Sequence, residues 1–141
     1  MEKWEFYNGL TSDCAEIRTK VFIEEQGFKE EFDNIDSKAI HIVIFCDGVP
    51  CATGRLFKSD KDDITYKIGR VAVLKSYRGR NLGAKVISLL EEKCREIGGE
   101  RIILSAQCRA KGFYEKQGYS QFGEEFYEED CPHVDMEKIF K

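Results

Sequence analysis

Two short, uninterrupted apolar runs constrain the fold of this 141-residue chain most strongly. Residues 40–46 read IHIVIFC and residues 101–106 read RIILSA. Continuous runs of this length, rich in β-branched residues, are typical of strands that are covered on both faces of a sheet. A segment with one apolar stripe at helical spacing, residues 82–97, lies between them. The chain is therefore predicted to form a mixed sheet with helices on its faces, an α/β (α+β) architecture.

The remaining elements follow from alternation, turn signals and caps. Thr11 or Ser12 can cap a first helix that runs to about residue 25, and Asp47 with Gly48 predicts a hairpin turn. Residues 27–37 form a loop or a short second helix. The predicted order is β-α-β-β-β-α-β-α-β-β within one domain, residues 1–141. The strands are predicted over 3–7, 40–46, 51–57, 65–74, 101–106, 121–127 and 134–140, and the helices over 12–25, 82–97 and 110–117.

Composition excludes several classes of function. The 22 Lys and Arg residues against 26 Asp and Glu residues give a net charge of −4, and nucleic-acid binding without sequence preference needs a basic surface. No apolar stretch approaches the ~18 residues of a membrane span, and the first twenty residues lack a signal-peptide pattern. A soluble, cytoplasmic protein without a membrane or nucleic-acid partner is expected. The six cysteines contain no Cys-x-x-Cys pair, so we expect reduced, buried thiols and no metal site.

The turn between the strand at 65–74 and the helix at 82–97 has the features of a phosphate site. Backbone N–H groups at a helix N-terminus have no acceptor within the helix, and the helix dipole is positive there. Gly79 and Gly83 allow a phosphate to approach the backbone, while Arg78 and Arg80 add positive charge. The turn lacks both the Gly-Lys-Ser/Thr of a Walker loop and the three-glycine spacing of dinucleotide sites. An ordinary strand–turn–helix with a glycine turn is the alternative.

These residues resemble the phosphate loop of the GNAT superfamily of acetyl-CoA-dependent N-acetyltransferases. That loop follows the pattern Arg/Gln-x-x-Gly-x-Gly/Ala, and residues 77–83 read YRGRNLG. Asn81 stands where the pattern has its first glycine, and asparagine tolerates the positive φ that glycine supplies there. Residues 112–119 are similar to the family's Phe-Tyr-x-x-x-Gly-Phe/Tyr helix. Residues 18–26 and the Pro-His-x-x-Met strand within 130–136 are similar to the small bacterial ElaA-type branch.

The resemblance implies a GNAT fold with a mostly antiparallel sheet and a specific reaction. The acetyl group of acetyl-CoA would pass to a primary amine of a small molecule or peptide by direct attack in a ternary complex, without a metal. Tyr114 is the implied acid beside the CoA sulfur, and a packed aromatic residue is the alternative. The implied cofactor-binding residues are Val71, Ala72, Val73, Arg78, Gly79, Arg80, Asn81, Leu82, Gly83, Ala84, Gln107, Phe113 and Tyr114.

His133 is the preferred candidate for the base that deprotonates the amine, because histidine exchanges a proton near neutral pH. A structural histidine and a water-mediated base are the alternatives, and His41 is interpreted as a strand-end residue. A non-catalytic acyl-CoA-binding or regulatory domain is a competing function. A cysteine-dependent hydrolase that uses Cys108 or Cys131 near His133 is another, although no nucleophile turn is recognisable. Exposed closing strands make a homodimer through the sheet edge possible.

The acceptor pocket is predicted from the first helix and the central strand. Arg18, Phe22 and Gln26 share one helix face at i, i+4 and i+8. Arg70 on the central strand either faces the cleft and holds an anionic group of the acceptor, or pairs with an acid such as Glu25. A group of acids could instead attract a cationic amine: Glu24, Glu30, Glu31, Asp33 and Asp36.

Overall fold

The computed structural model describes residues 1–29 and 32–140. Eight strands form one sheet in the order β1-β2-β3-β4-β5-β8, and β6 and β7 both pair with β8. Only β4 and β5 run parallel, so the sheet is mixed and mostly antiparallel, as predicted. The strands are β1 Glu2–Asn8, β2 Ile40–Cys46, β3 Val49–Lys58, β4 Thr65–Val73, β5 Arg101–Gln107, β6 Ser120–Gln121, β7 Phe126–Glu128 and β8 Cys131–Ile139; the helices are α1 Ser12–Arg18, α2 Leu82–Glu96 and α3 Lys111–Lys116.

The element order agrees with the sequence prediction except at the closing strands. The strand predicted over 121–127 is divided into β6 and β7. Gly123, with φ +82°, lies between the two pieces, where the left-handed backbone departs from the extended geometry of a strand. The predicted strand is therefore wrong in its continuity, and the sheet has eight strands rather than seven.

The first helix changes its geometry halfway along the predicted segment. Thr11 caps α1 by accepting a hydrogen bond from the Cys14 N–H (3.3 Å), as predicted. After Arg18 the chain continues as a π-helical segment, Thr19–Glu25, and single π-helical turns are frequent at functional sites. The 27–37 segment contains a short 3₁₀ helix, Asn34–Ser37, which begins with a capping box between Asp33 and Asp36.

The pairing of β4 with β5 positions the functional site. The two strands pair over only three residues, which end at Lys67 opposite Ile103. Beyond this point β4 stays with β3 and β5 stays with β8. Arg70 in β4 has φ +52°, at the point where the register with β3 shifts. This bulge bends β4 locally, and the two strands separate into a cleft.

The two faces of the sheet carry different packing. On one face α2 lies against β3 so closely that a Cβ on Gly54 would be 2.6 Å from Val86 Cγ1. On the other face α1 packs Cys14 and Ile17 in one cluster with Val43 of β2. The central strands are thus covered on both sides, which explains their continuous apolar sequence.

A buried ion-pair network lies on the α1 face. Arg18 is fully buried, and its two terminal nitrogens donate to the two oxygens of Asp36 (2.7 and 3.1 Å). Arg55 Nη1 donates to Asp36 (2.9 Å) and to Asp33 (2.8 Å). Burial opposes the ionisation of Asp36, but the hydrogen bonds from Arg18, Asp33 N–H and Arg55 lower its pKa to about 2. The network therefore ties α1 and the 33–37 turn to β3.

In the part of the chain that the structure describes, no helix is both long and apolar enough to cross a membrane.

Asp36→Asn is expected to lower the free energy of unfolding at pH 7 by about 3–5 kcal/mol, because it leaves a buried guanidinium without its carboxylate. Above pH 4 the wild type exceeds Asp36→Asn in free energy of unfolding by this full amount. The difference decreases by about 2 kcal/mol as the pH falls from 4 to 2, because folding lowers the pKa of the Asp36 carboxyl from 3.8 to about 2. Urea unfolding at each pH measures both values. Asp63→Asn, at an exposed ion pair with Lys58, should change stability by less than about 1 kcal/mol; equal effects of the two variants would contradict the prediction.

Candidate active site

A cleft opens where β4 and β5 separate. Its volume is about 1000 Å³, and the π-helical segment, β4, β5, α3 and the β7–β8 hairpin line it. Beyond Lys67, no strand within residues 1–29 and 32–140 pairs with the β4 edge that faces β5. This edge can therefore pair with an extended ligand, as expected for the pantetheine arm at residues 71–73. The predicted site residues that line the cleft are Phe22, Gln26, Arg70, Val71, Gln107, Tyr114 and His133.

Tyr114 lies on α3 at the inner end of the cleft. Its half-buried ring packs edge-to-face against Phe113 (centroids 4.9 Å apart) and Tyr119 (6.2 Å). Burial raises the pKa of Tyr114 to about 12, so the phenol stays protonated at neutral pH. The Tyr114 hydroxyl has no hydrogen-bond partner among residues 1–29 and 32–140, so it can donate to a ligand.

His133 lies on β8, opposite Gln107 of β5, and is only 5% exposed. Its Nδ1 is 2.8 Å from the Cys131 carbonyl oxygen. A carbonyl only accepts hydrogen bonds, so Nδ1 is the donor of this bond. Nε2 is 3.2 Å from Glu128 Oε2, and Phe126 stacks on the ring (5.8 Å).

These contacts bear on the cysteine-hydrolase alternative. The ring nitrogens of His133 contact a backbone carbonyl and a carboxylate, not a thiol. Burial also raises the pKa of the Cys108 thiol, whereas a nucleophilic cysteine needs a lowered one. The geometry does not support a cysteine nucleophile here.

The predicted phosphate turn has the expected backbone geometry. Asn81 adopts the left-handed conformation (φ 60°, ψ 23°) and precedes α2 without a side-chain cap. The first intrahelical bond runs from Lys85 N–H to the Asn81 carbonyl (3.0 Å). The N–H groups of Leu82, Gly83 and Ala84 therefore have no acceptor within the helix. Three free donors at the positive end of a 15-residue helix fit an oxyanion, such as a pyrophosphate.

The resemblance to the phosphate loop suggests that Arg78 contacts a phosphate, but its side chain contacts protein groups instead. Its terminal nitrogens donate to both oxygens of Glu25 (2.6 and 2.7 Å), and its Nε donates to the Val73 carbonyl (3.0 Å). The hydrogen bond from Arg78 lowers the pKa of Glu25. Arg78 therefore joins the π-helical segment to the end of β4. The other arginine of the turn, Arg80, lies over the ring of Tyr77 (5.1 Å).

The structure corrects two expectations about the acceptor pocket. Arg18 does not line the cleft, because its side chain is fully buried in the ion pair with Asp36. Arg70 does line it, but its acidic partner is Asp33 (3.3 Å), not Glu25.

The structure also gives the contacts of other predicted site residues. Gln26 accepts a hydrogen bond from Gln107 (2.8 Å) across the cleft. Phe113 supports the phosphate turn, since its ring would be 3.3 Å from a Cβ on Gly83. Of the acids proposed to attract an amine, Asp33 and Asp36 are held in ion pairs, and Glu30 and Glu31 lie outside the described residues.

Several residues of the cleft had no signal in the sequence. Arg55 and Lys67 line it from β3 and β4, and Asp135 lines it from β8 and accepts a hydrogen bond from Ser105 (2.8 Å). Their positions depend on the register of three strand pairs, which no local pattern determines. Among residues 1–29 and 32–140, no cluster of three His, Cys, Asp or Glu side chains can hold a metal ion.

Comparisons with known proteins agree with this geometry. The family profile described as acetyltransferase (GNAT) domain matches residues 10–140. The uncharacterised N-acetyltransferase YjcF of Bacillus subtilis is 34% identical over 129 residues, which cover 89% of this chain and 90% of YjcF. The crystal structure of Escherichia coli ElaA is 29% identical, with a TM-score of 0.86 over 98% of this chain and 99% of that one. A structure described as an N-acetyltransferase from Lactobacillus plantarum is 27% identical, with a TM-score of 0.88 over 99% of both chains.

Substitutions at Asn81 test the backbone geometry of the turn. Asn81→Ala is expected to lower the free energy of unfolding by about 1–2 kcal/mol, because a Cβ without a polar side chain is disfavoured at φ 60°. Asn81→Gly should keep or raise stability and keep the thermal shift by acetyl-CoA. Chemical denaturation and thermal-shift titration measure these effects. Asn8→Ala, at an exposed position of β1, is the control; a loss of ligand-induced stabilisation in Asn81→Gly would show that the asparagine side chain itself binds the ligand.

Proposed function

Because the chain belongs to the GNAT family of acetyltransferases, we propose that it moves the acetyl group of acetyl-CoA to a primary amine of a small molecule or peptide. The transfer joins the amine nitrogen to the acetyl carbonyl in a ternary complex and releases the CoA thiol. The observation that carries the proposal is the cleft at the β4–β5 separation, which has Tyr114 and His133 in its lining.

The donor side of the cleft fits acetyl-CoA in two places. The free N–H groups at the start of α2 provide donors for the pyrophosphate. The unpaired edge of β4, at Val71, Ala72 and Val73, provides backbone groups for the pantetheine amides. The same edge can donate to the oxyanion that forms at the acetyl carbonyl, and one preorganised donor of this kind contributes about 3–4 kcal/mol.

His133 is proposed as the base. An alkyl amine has a pKa near ~10 and is mostly protonated at neutral pH, so it must lose a proton before it attacks. Nδ1 is fixed as a donor by the Cys131 carbonyl, which leaves Nε2 to accept the amine proton. Glu128 Oε2, 3.2 Å from Nε2, stabilises the imidazolium that results.

Tyr114 is proposed as the hydrogen-bond donor to the departing sulfur. The Tyr114 pKa of about 12 exceeds the ~8.5 of a thiol, so the phenol holds its proton more tightly than the thiol does. Its hydroxyl is therefore suited to donate a hydrogen bond to the thiolate. Over the whole reaction, the proton that the amine releases neutralises the charge of the thiolate.

Tyr114→Phe is expected to lower kcat by about 10²-fold or more, while acetyl-CoA still raises the melting temperature. Thiol release and a thermal-shift titration with acetyl-CoA, CoA and ATP measure the two properties. Saturation at 100 times Kd adds about 2.7 kcal/mol of stability, and ATP should add none. The control is Tyr127→Phe, at an exposed tyrosine. Stabilisation by acetyl-CoA with no turnover of any amine in the wild type would favour a non-catalytic acyl-CoA-binding domain.

His133→Gln is expected to lower kcat/KM at pH 7 by about 10²–10⁴-fold. The defect should decrease as the pH approaches ~10, because the amine then loses its proton without help. Rate profiles of both proteins from pH 6 to 10 measure this change. A ratio of wild-type to variant rates that is constant over this range would assign His133 a structural role instead.

A further inference from the structure

One part of the cleft carries polar groups that the proposed reaction does not use. Arg55 of β3 is paired with Gly69 of β4, and Phe57 with Lys67. Residues directly opposite in an antiparallel pair have their side chains on the same face. The side chains of Arg55 and Lys67 therefore lie on the same face as Gly69, Arg55 opposite it on β3 and Lys67 two residues away on β4. All three residues line the cleft.

Arg55 has one donor left over in this arrangement. The residue is 4% exposed, and its terminal nitrogens are occupied by Asp33 and Asp36. Its Nε is buried without a hydrogen-bond partner, the one such side-chain atom in the described part of the chain. Buried donors are almost always paired, so an unpaired one at the wall of a cleft points to a ligand acceptor.

Gly69 leaves the space beside this donor open. A Cβ at this position would lie 3.7 Å from Arg55 Nε, in ordinary contact. The backbone does not require glycine here, because the φ of Gly69 is not positive. Glycine thus keeps this position, directly beside the buried Nε, free of side-chain atoms.

Lys67 supplies a second charge beside the same space. Its side chain is half-buried, and no ion pair holds its ammonium group within residues 1–29 and 32–140. A ligand carboxylate beside Lys67 would complete an ion pair that the described residues do not supply. Acidic groups, Glu128 and Asp135, also line the cleft, and they suit an amine.

We propose that the acceptor is an amino acid-like molecule, with a carboxylate that lies over Gly69 and accepts hydrogen bonds from Arg55 Nε and Lys67 Nζ. This inference rests on the proposed acetyl transfer. Charge-assisted hydrogen bonds to two oxygens fix the acceptor's orientation. Gly69 and Val71 at the donor edge are two residues apart, on either side of the Arg70 bulge, so the amine and the carboxylate are separated by several bonds.

Matched pairs of acceptors test the inference: 4-aminobutyrate against its primary amide, and 6-aminohexanoate against its primary amide. Each pair keeps the amine and the length and changes only the negative charge. Thiol release gives kcat/KM, and the melting temperature of the CoA-saturated protein gives binding without turnover. The proteins are the wild type, Lys67→Met, Lys67→Arg, Gly69→Ala and the control Lys58→Met, at an exposed lysine of β3.

We expect the wild type to prefer the acid of at least one pair by tenfold or more, in kcat/KM and in binding. Lys67→Met should reduce this preference to near one, and Lys67→Arg should restore part of it. Gly69→Ala should reduce it while every charge is kept, and Lys58→Met should leave it unchanged. Equal use and binding of acid and amide by the wild type would overturn the inference, as would a preference that survives in Lys67→Met.

Turnover of both acid and amide at equal rates leaves the acetyltransferase proposal intact, whereas absence of turnover with acid-selective binding contradicts that proposal alone.

Discussion

The short parallel pairing of β4 with β5 is the constraint on which the rest of the site depends. Three residue pairs hold the two halves of the sheet together. Beyond them, β5 remains paired with β8 over the four residues from Leu104 to Gln107, and β4 remains paired with β3 across its bulge. Each half is thus held by its antiparallel partner, and the gap lies between them. His133 reaches the gap through the β5–β8 register, and Tyr114 reaches it through the helix that follows β5.

The acceptor side is organised by charge pairs rather than by apolar packing. Arg18, Asp36 and Arg55 connect α1, the 33–37 turn and β3 through hydrogen bonds of 2.7–3.1 Å. A buried pair of this kind contributes little net stability, because desolvation offsets the attraction. Instead, the network fixes the position of the turn that carries Asp33 relative to the strand that carries Arg55. The position of the cleft wall then follows from a network that lies behind it.

The sequence predicted what local patterns determine, and it missed what depends on distant contacts. The apolar runs of β2 and β5 and the Thr11 cap follow from neighbouring residues alone, and the positive φ of Asn81 was expected from the resemblance to the phosphate loop. Arg18 was predicted to line the pocket because its helix face also carries Phe22 and Gln26. Its partner Asp36 is 18 residues away, and no helical spacing reveals that pair. The Glu25–Arg78 pair spans 53 residues and is equally invisible to local patterns.

The Glu25–Arg78 pair links the two ligand sides of the cleft. Arg78 belongs to the turn before α2, Glu25 ends the π-helical segment beside the cleft, and the Arg78 Nε also donates to the Val73 carbonyl at the end of β4. Since the guanidinium is occupied in this way, the proposed pyrophosphate site depends on the free N–H groups and the dipole of α2. The arginine instead fixes where β4 ends relative to that helix. A residue type that suggests a phosphate ligand thus acts, in this structure, on the geometry of the backbone that provides the phosphate site.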